Sequence, residues 1–241
     1  MTRLPGLFVV GTDTGVGKTR VAAGIARCLV EAGRRVGVLK PVATGLIRKG
    51  DRWRCEDAEA LIAALGVGIE PERVTPLAFE EPLAPPVAAR RQGRPLDFAQ
   101  VLDATRDALA WWADRAEIIL VEGVGGLLCP LAEGATVADL AVALDFPLVV
   151  VARRGLGTLN HTLLTVEAAR WRGLRVAGIV LNGSDADADP LALATNPGEL
   201  TRRLGGVALL AEVPHLTDPA ALWREIRDVD WEGSSAPPRL V

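Results

Sequence analysis

The strongest constraint on this chain is a glycine-rich turn near its N-terminus. The nine residues Gly11 to Thr19 read GTDTGVGKT, between an apolar run, Leu7 to Val10, and a helical pattern, Val21 to Ala32. Strand, glycine-rich turn, Gly-Lys-Thr and helix in this order are the context of a phosphate-binding loop. Glycines let consecutive main-chain N–H groups face a phosphate, and the helix N-terminus adds partial positive charge. We therefore predict that the turn binds a nucleoside triphosphate, against the alternative of an ordinary strand-to-helix turn.

Composition excludes several other classes of protein. The 241 residues, 49% of them hydrophobic, suffice for one large α/β core. The net charge of −3 and the absence of a Lys/Arg run argue against nucleic acid as a partner. The apolar runs are too short or too interrupted to span a membrane, and the first residues do not resemble a signal peptide, so a cytoplasmic location is expected. The widely spaced Cys28, Cys55 and Cys129 are expected to be reduced thiols without a metal-binding or disulfide pattern.

Lysine is rare in this chain, which has 24 arginines and only Lys18, Lys40 and Lys49. The two side chains differ, because lysine carries a compact point charge and arginine a wide planar fork. Lys18 and Lys40 both fall in turns that follow predicted strands. We interpret this as chemistry that requires an ammonium group at these two positions.

Apolar segments alternate with helical patterns along the chain, which predicts βα units and a mainly parallel sheet. The expected architecture is a single-domain P-loop NTPase fold over residues 1–231, with about seven strands flanked by helices, and a flexible tail at 232–241. Predicted strands cover 7–10, 35–40, 117–122, 147–152, 175–182 and 207–213. Predicted helices cover 21–32, 56–65, 96–115, 136–144, 158–172 and 219–229. The proline-rich segment 66–95 is expected to be an ordered excursion or a lid, and 184–197 an exposed, mobile loop.

Several polar side chains follow predicted strands, where open α/β sheets bind ligands. Lys40 and Thr44 come after the second strand, and Glu122 ends a four-residue aliphatic run. A carboxylate at that edge beside a phosphate loop is typical of a Mg²⁺ site, although a solvated strand end is the alternative for Lys40 and Glu122. Asp57 lies at a helix start, where the helix dipole alone explains an acid. His161 is expected to pack within its helix.

Together these motifs resemble those of the dethiobiotin synthetase family, enzymes of the biotin pathway, over nearly the whole chain. The matching segments are GTDTGVGKT (Gly11–Thr19), KPVATG (Lys40–Gly45), EGVGG (Glu122–Gly126), LGTLNH (Leu156–His161), Asn182 and the last strand with Pro214. Two positions depart from the family pattern. Gly15 stands where some members have an acid, and no acid that would hold a ribose is evident after Pro214.

The resemblance implies a set of site residues. Mg²⁺ would be held by Thr19, Asp57 and Glu122. ATP would contact Gly15, Val16, Gly17, Lys18, Thr19, Arg20, Gly123, Val124 and Gly125, with its adenine at Asn182, Gly183, Pro214, His215 and Leu216. The substrate 7,8-diaminopelargonate would contact Thr14, Lys40, Thr44 and Gly125. Its carboxylate would lie at Gly157, Thr158, Leu159 and Asn160 of the other subunit of a homodimer.

The reaction implied by the resemblance is ring closure with CO₂, with Lys18 and Lys40 as the catalytic residues. A substrate carbamate attacks the γ-phosphate to give a carbamic-phosphoric anhydride, and the second amine then closes the ring and expels phosphate. The alternatives are a partitioning-type ATPase switch, a cobyrinate-type amide ligase and a noncatalytic nucleotide-binding subunit. A ligase of that type is expected to need a glutaminase domain, for which the chain beyond Val213 is short.

Overall fold

The computed structural model describes residues 4–218 and 221–235. Its strands are β1 (Gly6–Gly11), β2 (Val36–Leu39), β3 (Val42–Thr44), β4 (Ile47–Lys49), β5 (Arg52–Arg54), β6 (Leu77–Phe79), β7 (Ile118–Gly126), β8 (Pro130–Ala132), β9 (Ala135–Thr136), β10 (Leu148–Arg153), β11 (Val176–Asn182) and β12 (Leu209–Val213). Its helices are α1 (Lys18–Glu31), α2 (Glu56–Leu65), α3 (Pro71–Val74), α4 (Pro85–Arg91), α5 (Phe98–Ala113), α6 (Val137–Leu144), α7 (Thr158–Trp171), α8 (Pro190–Arg203), α9 (Leu222–Ile226) and α10 (Trp231–Ser235).

The core of the molecule is a parallel sheet in the order β12-β11-β10-β1-β7-β2. Within the described residues it has six strands, rather than the seven or so predicted. All residues of β1 and β2 are buried, because helices cover both faces of such a sheet. The α/β fold is confirmed. Its order places the end of β1 between the ends of β7 and β10.

Two strands differ from the prediction in ways that affect the site. The third predicted strand was expected to end at Glu122, but β7 continues to Gly126. Its pairing with β1 shifts in register between Val9, which pairs with Glu122, and Gly11, which pairs with Gly126. Val42–Thr44, expected as a loop, forms the short strand β3, which pairs with β6 outside the main sheet. The segment 66–95 is an ordered excursion, in which α4 buries Pro85 and Pro86.

The predicted loop at 184–197 is wrong from Pro190 onward, where α8 begins. Asp189 caps this helix, because its Oδ1 accepts hydrogen bonds from the N–H groups of Leu191 and Ala192 at 2.7 and 3.1 Å. Proline suits the first helical position, and the helix tolerates a second proline, Pro197, in its interior.

The C-terminal part of the described chain also differs from the prediction. The last strand is shorter than expected, and α9 is the described core of the helix predicted at 219–229, of which residues 219–220 lie outside the described part. Residues 232–235, predicted as flexible tail, are helical in α10. This helix buries Trp231, whose Nε1–H donates to the Ile226 carbonyl at 3.0 Å. Residues 236–241 of the predicted tail lie outside the described residues.

No helix in the described ranges combines the length and the apolar character needed to cross a membrane. Cys28, Cys55 and Cys129 are all free thiols. Burial raises the pKa of Cys28 to about 11, so this thiol is protonated at neutral pH.

Candidate active site

The phosphate loop connects β1 to α1 and is fixed from the side by β11. Gly17 has φ 90°, and a Cβ atom there would lie 2.2 Å from Asn182 Nδ2, so only glycine fits. The same Nδ2 donates a hydrogen bond to the Val16 carbonyl at 2.9 Å. Val16 and Asn182 are both buried. The loop therefore has one fixed path, set by a side chain from a distant strand.

The side chain of Lys18 has a fixed position inside this loop. It is buried, and its Nζ donates to the Asp13 carbonyl at 3.0 Å. Burial lowers the pKa of Lys18, and the nearby charge of Lys40 adds to this effect, while Glu122 opposes it. Asp13 is fixed in turn by Arg153, whose Nη2 donates to Asp13 Oδ2 at 2.9 Å. A phosphate bound beside Lys18 would give its ammonium group a negatively charged partner in place of the neutral Asp13 carbonyl.

Four polar side chains from α1, α2, β7 and the end of β2 meet below the loop. Thr19 Oγ1 lies 2.9 Å from Asp57 Oδ1 and 2.7 Å from Glu122 Oε1. Lys40 Nζ lies 2.7 Å from both Asp57 Oδ2 and Glu122 Oε1. The residues around Asp57 do not identify it as a site residue, and only the family resemblance implies it, because the fold brings the start of α2 to this point.

The charges of this cluster stabilise one another. Burial alone would lower the pKa of Lys40, but the carboxylates of Glu122 and Asp57 outweigh burial and raise it. Burial would raise the pKa of Asp57, but Lys40 outweighs it and the pKa is lowered. Lys40 and Asp57 are therefore charged at neutral pH. The cluster combines a fixed ammonium with oxygen atoms that can take a cation.

The oxygen atoms of the cluster fit a divalent cation of the Mg²⁺ type. Glu122 Oε2 is buried and has no hydrogen-bond partner among the described residues. The single proton of the Thr19 hydroxyl can serve only one of its two carboxylate neighbours at a time. The described residues contain no group of three or more His, Cys, Asp or Glu able to hold a metal. At a nucleotide, Mg²⁺ is usually held by few protein oxygens together with phosphates and water.

A cleft of about 380 Å³ opens over the loop and this cluster. Each of its lining residues belongs to the set predicted from the sequence: Thr14, Gly15, Gly17, Lys18, Thr19, Arg20, Lys40, Thr44, Asp57, Glu122, Val124 and Gly125. Gly123, also in that set, lies elsewhere. It is buried in β7, where a Cβ atom would lie 2.9 Å from a methyl carbon of Val137, so its role in the structure is close packing.

A second cavity of about 360 Å³ adjoins the cleft, and Thr14 lines both. Thr12 and Asp13 of the phosphate loop form part of its wall. The rest is mainly apolar and comes from the end of β7, the segment after it and one side of α7, including Leu128 and Leu164. His161, expected to pack within its helix, is exposed and lines this cavity. The signal in the sequence was its spacing, since positions 161, 164, 165 and 168 share one helix face.

The residues assigned to adenine by the resemblance lie together beside the phosphate loop. Gly183 packs against the main chain after β12, where a Cβ atom would lie 2.4 Å from the His215 nitrogen. The Gly183 carbonyl accepts a hydrogen bond from His215 Nδ1 at 3.0 Å, and Pro214 is exposed. At the other end of this segment, the Leu216 carbonyl accepts a hydrogen bond from Arg20 Nη2 at 2.7 Å.

The segment Gly157–Asn160 is not brought to the cleft of its own chain. It forms the start of α7, with Gly157 at φ 88°, and neither cavity is lined by it in the described part of the chain. Thr158 is buried, Leu159 is half-buried and Asn160 is exposed. The neighbouring Leu156 is 86% exposed. This predicted site is therefore a surface feature of the single chain.

This chain is similar in sequence to known proteins over most of its length. A family model described as an AAA domain matches residues 5–221. The ATP-dependent dethiobiotin synthetase BioD of Anaeromyxobacter dehalogenans is 48% identical over 198 residues, which cover 82% of this chain and 84% of that protein. The protein of the same name from Bacillus licheniformis is 42% identical over 230 residues, covering 93% of each chain.

A comparison of structures supports the fold. The MinC:MinD cell division protein complex of Aquifex aeolicus contains a chain that matches with a TM-score of 0.55. The match covers 97% of this chain and 98% of that one, at 13% sequence identity. At this identity the likeness extends to the fold and no further.

Proposed function

Because the chain belongs to the dethiobiotin synthetase family, we propose that it closes a ureido ring on 7,8-diaminopelargonate with CO₂ at the expense of ATP. The observation that carries this proposal is the pair of joined cavities. One contains two lysines beside the phosphate loop, and the other is a mainly apolar cavity suited to an aliphatic chain. Thr14 lies where the two meet, so the reacting groups of both substrates would meet beside it.

Charge placement accounts for the phosphoryl-transfer step. The carbamate oxygen attacks the γ-phosphorus and ADP leaves, so negative charge accumulates between the two substrates. Lys18 would neutralise the β- and γ-phosphate oxygens, and Lys40 the oxyanion that develops toward the carbamate. Mg²⁺ held by Thr19, Asp57 and Glu122 would supply further positive charge to the phosphates when bound. No protein nucleophile is required: one amine adds to CO₂ with loss of a proton to form the carbamate, a carbamate oxygen attacks phosphorus, and the second amine attacks in the next step.

The second step closes the ring. The free amine attacks the carbonyl carbon of the anhydride, the carbon–oxygen bond to phosphate breaks, and the amine proton is lost. Positioning dominates such an intramolecular step. Thr14 and Thr44 would orient the diamine across the junction of the two cavities, and Gly125 would let the main chain approach it closely.

The remaining assignments concern the nucleobase, the assembly and the location. Adenine would lie against Asn182, Gly183 and the segment Pro214–Leu216, which we name the nucleobase loop. A second copy of the chain would bring its Gly157–Asn160 to the substrate carboxylate, since helix N-termini bind anions and this one faces away from its own cleft. Three free thiols fit a cytoplasmic location.

The test is an assay of phosphate release and product mass with MgATP, 7,8-diaminopelargonate and bicarbonate. Omission of any one component should reduce phosphate release to background, and one dethiobiotin should form per phosphate released. ATP hydrolysis that proceeds equally well without the diamine would favour a partitioning-type switch. Amide formation that depends on glutamine or ammonia would favour the cobyrinate-type ligase.

A further inference from the structure

Arg20 connects two parts of the site that are 196 positions apart in sequence. It follows Thr19 in the first turn of α1, and its side chain lines the phosphate cleft. From there it extends to the nucleobase loop, where its Nη2 donates to the Leu216 carbonyl at 2.7 Å.

The contact that Arg20 makes differs from that of its neighbour on the same helix. Arg27, two turns further along α1, forms an ion pair with Glu31 of its own helix. Arg20 instead donates to a neutral main-chain carbonyl, and its Nε atom is buried without a hydrogen-bond partner in the described residues. A buried, unsatisfied donor costs stability, so the arrangement is more than a solvated surface contact.

The nucleobase loop is attached at both ends. Its beginning is fixed by Gly183, whose N–H donates to the Val213 carbonyl at 2.8 Å and whose carbonyl accepts from the His215 ring. Its end is fixed by Arg20. Between these anchors, Pro214 is exposed and contributes little packing that could set the direction of the loop.

We infer that Arg20 is a positioning residue, which holds the nucleobase loop at a fixed distance from the phosphate loop and so couples recognition of the base to that of the triphosphate. The inference rests on the proposed function, because it takes Pro214–Leu216 as the place of the base. Arg20 acts here through the Leu216 carbonyl and not through a phosphate oxygen. The two possibilities predict different ligand dependence.

The experiment compares MgATP with magnesium tripolyphosphate, which has the same number of phosphates but neither ribose nor base. Dissociation constants for both are measured by calorimetry on the wild-type chain, Arg20→Met and Arg20→Lys, with melting temperature as the folding control. Arg20→Met should weaken MgATP about tenfold, equivalent to about 1.4 kcal/mol. Tripolyphosphate should stay within about twofold, because the phosphate loop is unchanged. Arg20→Lys keeps the charge with a different reach and should weaken MgATP at least threefold.

Arg27→Met is the matched control, because it removes a guanidinium from the same helix without touching Leu216, and it should bind both ligands like the wild type. Equal weakening of the two ligands by Arg20→Met would overturn the inference and show that Arg20 contacts phosphate. Unchanged binding of both MgATP and tripolyphosphate would also overturn the inference and show that the contact with Leu216 does not affect binding. A wild-type chain that binds tripolyphosphate as tightly as MgATP would refute recognition of the base itself, a result distinct from any failure of Arg20.

Discussion

The phosphate cleft and the start of α7 differ in how much of their environment a single chain supplies. In the cleft, Lys18, Lys40 and Glu122 are each less than a tenth exposed, and each has a polar partner within the chain. Lys40 forms an ion pair with Glu122, and Lys18 donates to the Asp13 carbonyl. On α7, Leu164 is 60% and Trp171 89% exposed, although the opposite side of the helix is buried. A helix with apolar side chains on two sides is usually packed against other protein surfaces on both of them. A single folded chain therefore forms the phosphate site, whereas the proposed carboxylate site needs contact with a second copy of the chain.

The largest expected effect tests whether the cleft depends on the shape of one ammonium group. Lys40→Arg keeps the positive charge but spreads it over a planar guanidinium group. The Lys40 Nζ atom lies 2.7 Å from an oxygen of both Asp57 and Glu122, so the wider group would have to displace these carboxylates. Turnover should fall roughly 10²-fold or more, the scale for losing one well-aimed donor in a transition state, while MgATP binds almost normally. Steady-state kinetics and calorimetry measure both. The control Lys49→Arg makes the same change in the exposed β4 and should leave turnover unchanged. Turnover of Lys40→Arg within about twofold of the wild-type value would show that Lys40 has no role in catalysis.

The second prediction concerns the carboxylate whose Oε2 atom lacks a partner. Glu122→Gln keeps the shape but loses the charge that a cation would use, so turnover should fall at least about tenfold, and the Mg²⁺ concentration for half-maximal activity should rise at least about tenfold. The chain should still fold, because Lys40 retains Asp57 as a counter-ion. A Mg²⁺ titration of activity checks this. Glu117→Gln, just before the same strand, serves as control, and an unchanged Mg²⁺ requirement would contradict the assignment.

The third prediction addresses the exposed side of α7. Trp171→Asp places a charge where we propose that a second copy packs, at a residue that lines neither cavity, so the chain should become monomeric and lose about tenfold in activity at low protein concentration. Sedimentation and activity are measured over a dilution series. Val67→Asp alters another exposed apolar side chain, in the turn after α2, and should leave both quantities unchanged. Full activity of a Trp171→Asp monomer would show that one chain suffices.

The smallest effect is a partial recovery of activity. Asn160→Ala should damage the site contributed to the second copy, and Lys18→Met the phosphate loop of its own chain. In an equal mixture half of the dimers are hybrids with one intact site, so activity should return to about a quarter of the wild-type value. Each variant alone provides the background. Absence of recovery, with subunit exchange demonstrated by mass spectrometry, would place both residues in the same chain's site.

The same contrast explains what the sequence could reveal. The residues of the phosphate cleft were predictable, because a phosphate loop specifies its own geometry and strand ends bring Lys40 and Glu122 to one edge. Asp57 could not be selected by local reasoning, since a helix-start acid has an ordinary explanation. Its approach to Thr19 depends on the packing of α2 against α1, which is a tertiary contact.

Errors arose where local signals conflicted. The alternating aspartates that end at Asp189, together with Pro190, indicate a loop, yet Asp189 and Pro190 also form a good helix start, and α8 follows from them. His161 was assigned to packing because a lone histidine on a helix is usually a packing residue. Its exposure depends on which face of α7 meets the sheet, and the face was ambiguous because apolar residues lie on both sides.

The central position of β1 in the sheet has a consequence for biosynthesis. Phe8 pairs with Val121 on one side and with Leu148 on the other, so the strand that carries the phosphate loop finds its neighbours more than a hundred residues later. β2, the next strand to be made, lies beyond β7 and offers β1 no pairing. At about 5–20 residues per second on the ribosome, the first strand waits several seconds or more for its neighbours. Pairing over such distances is also slow to nucleate. A nascent chain that ends before β10 should therefore have no nucleotide affinity, and binding capacity should arise only when synthesis is more than half complete.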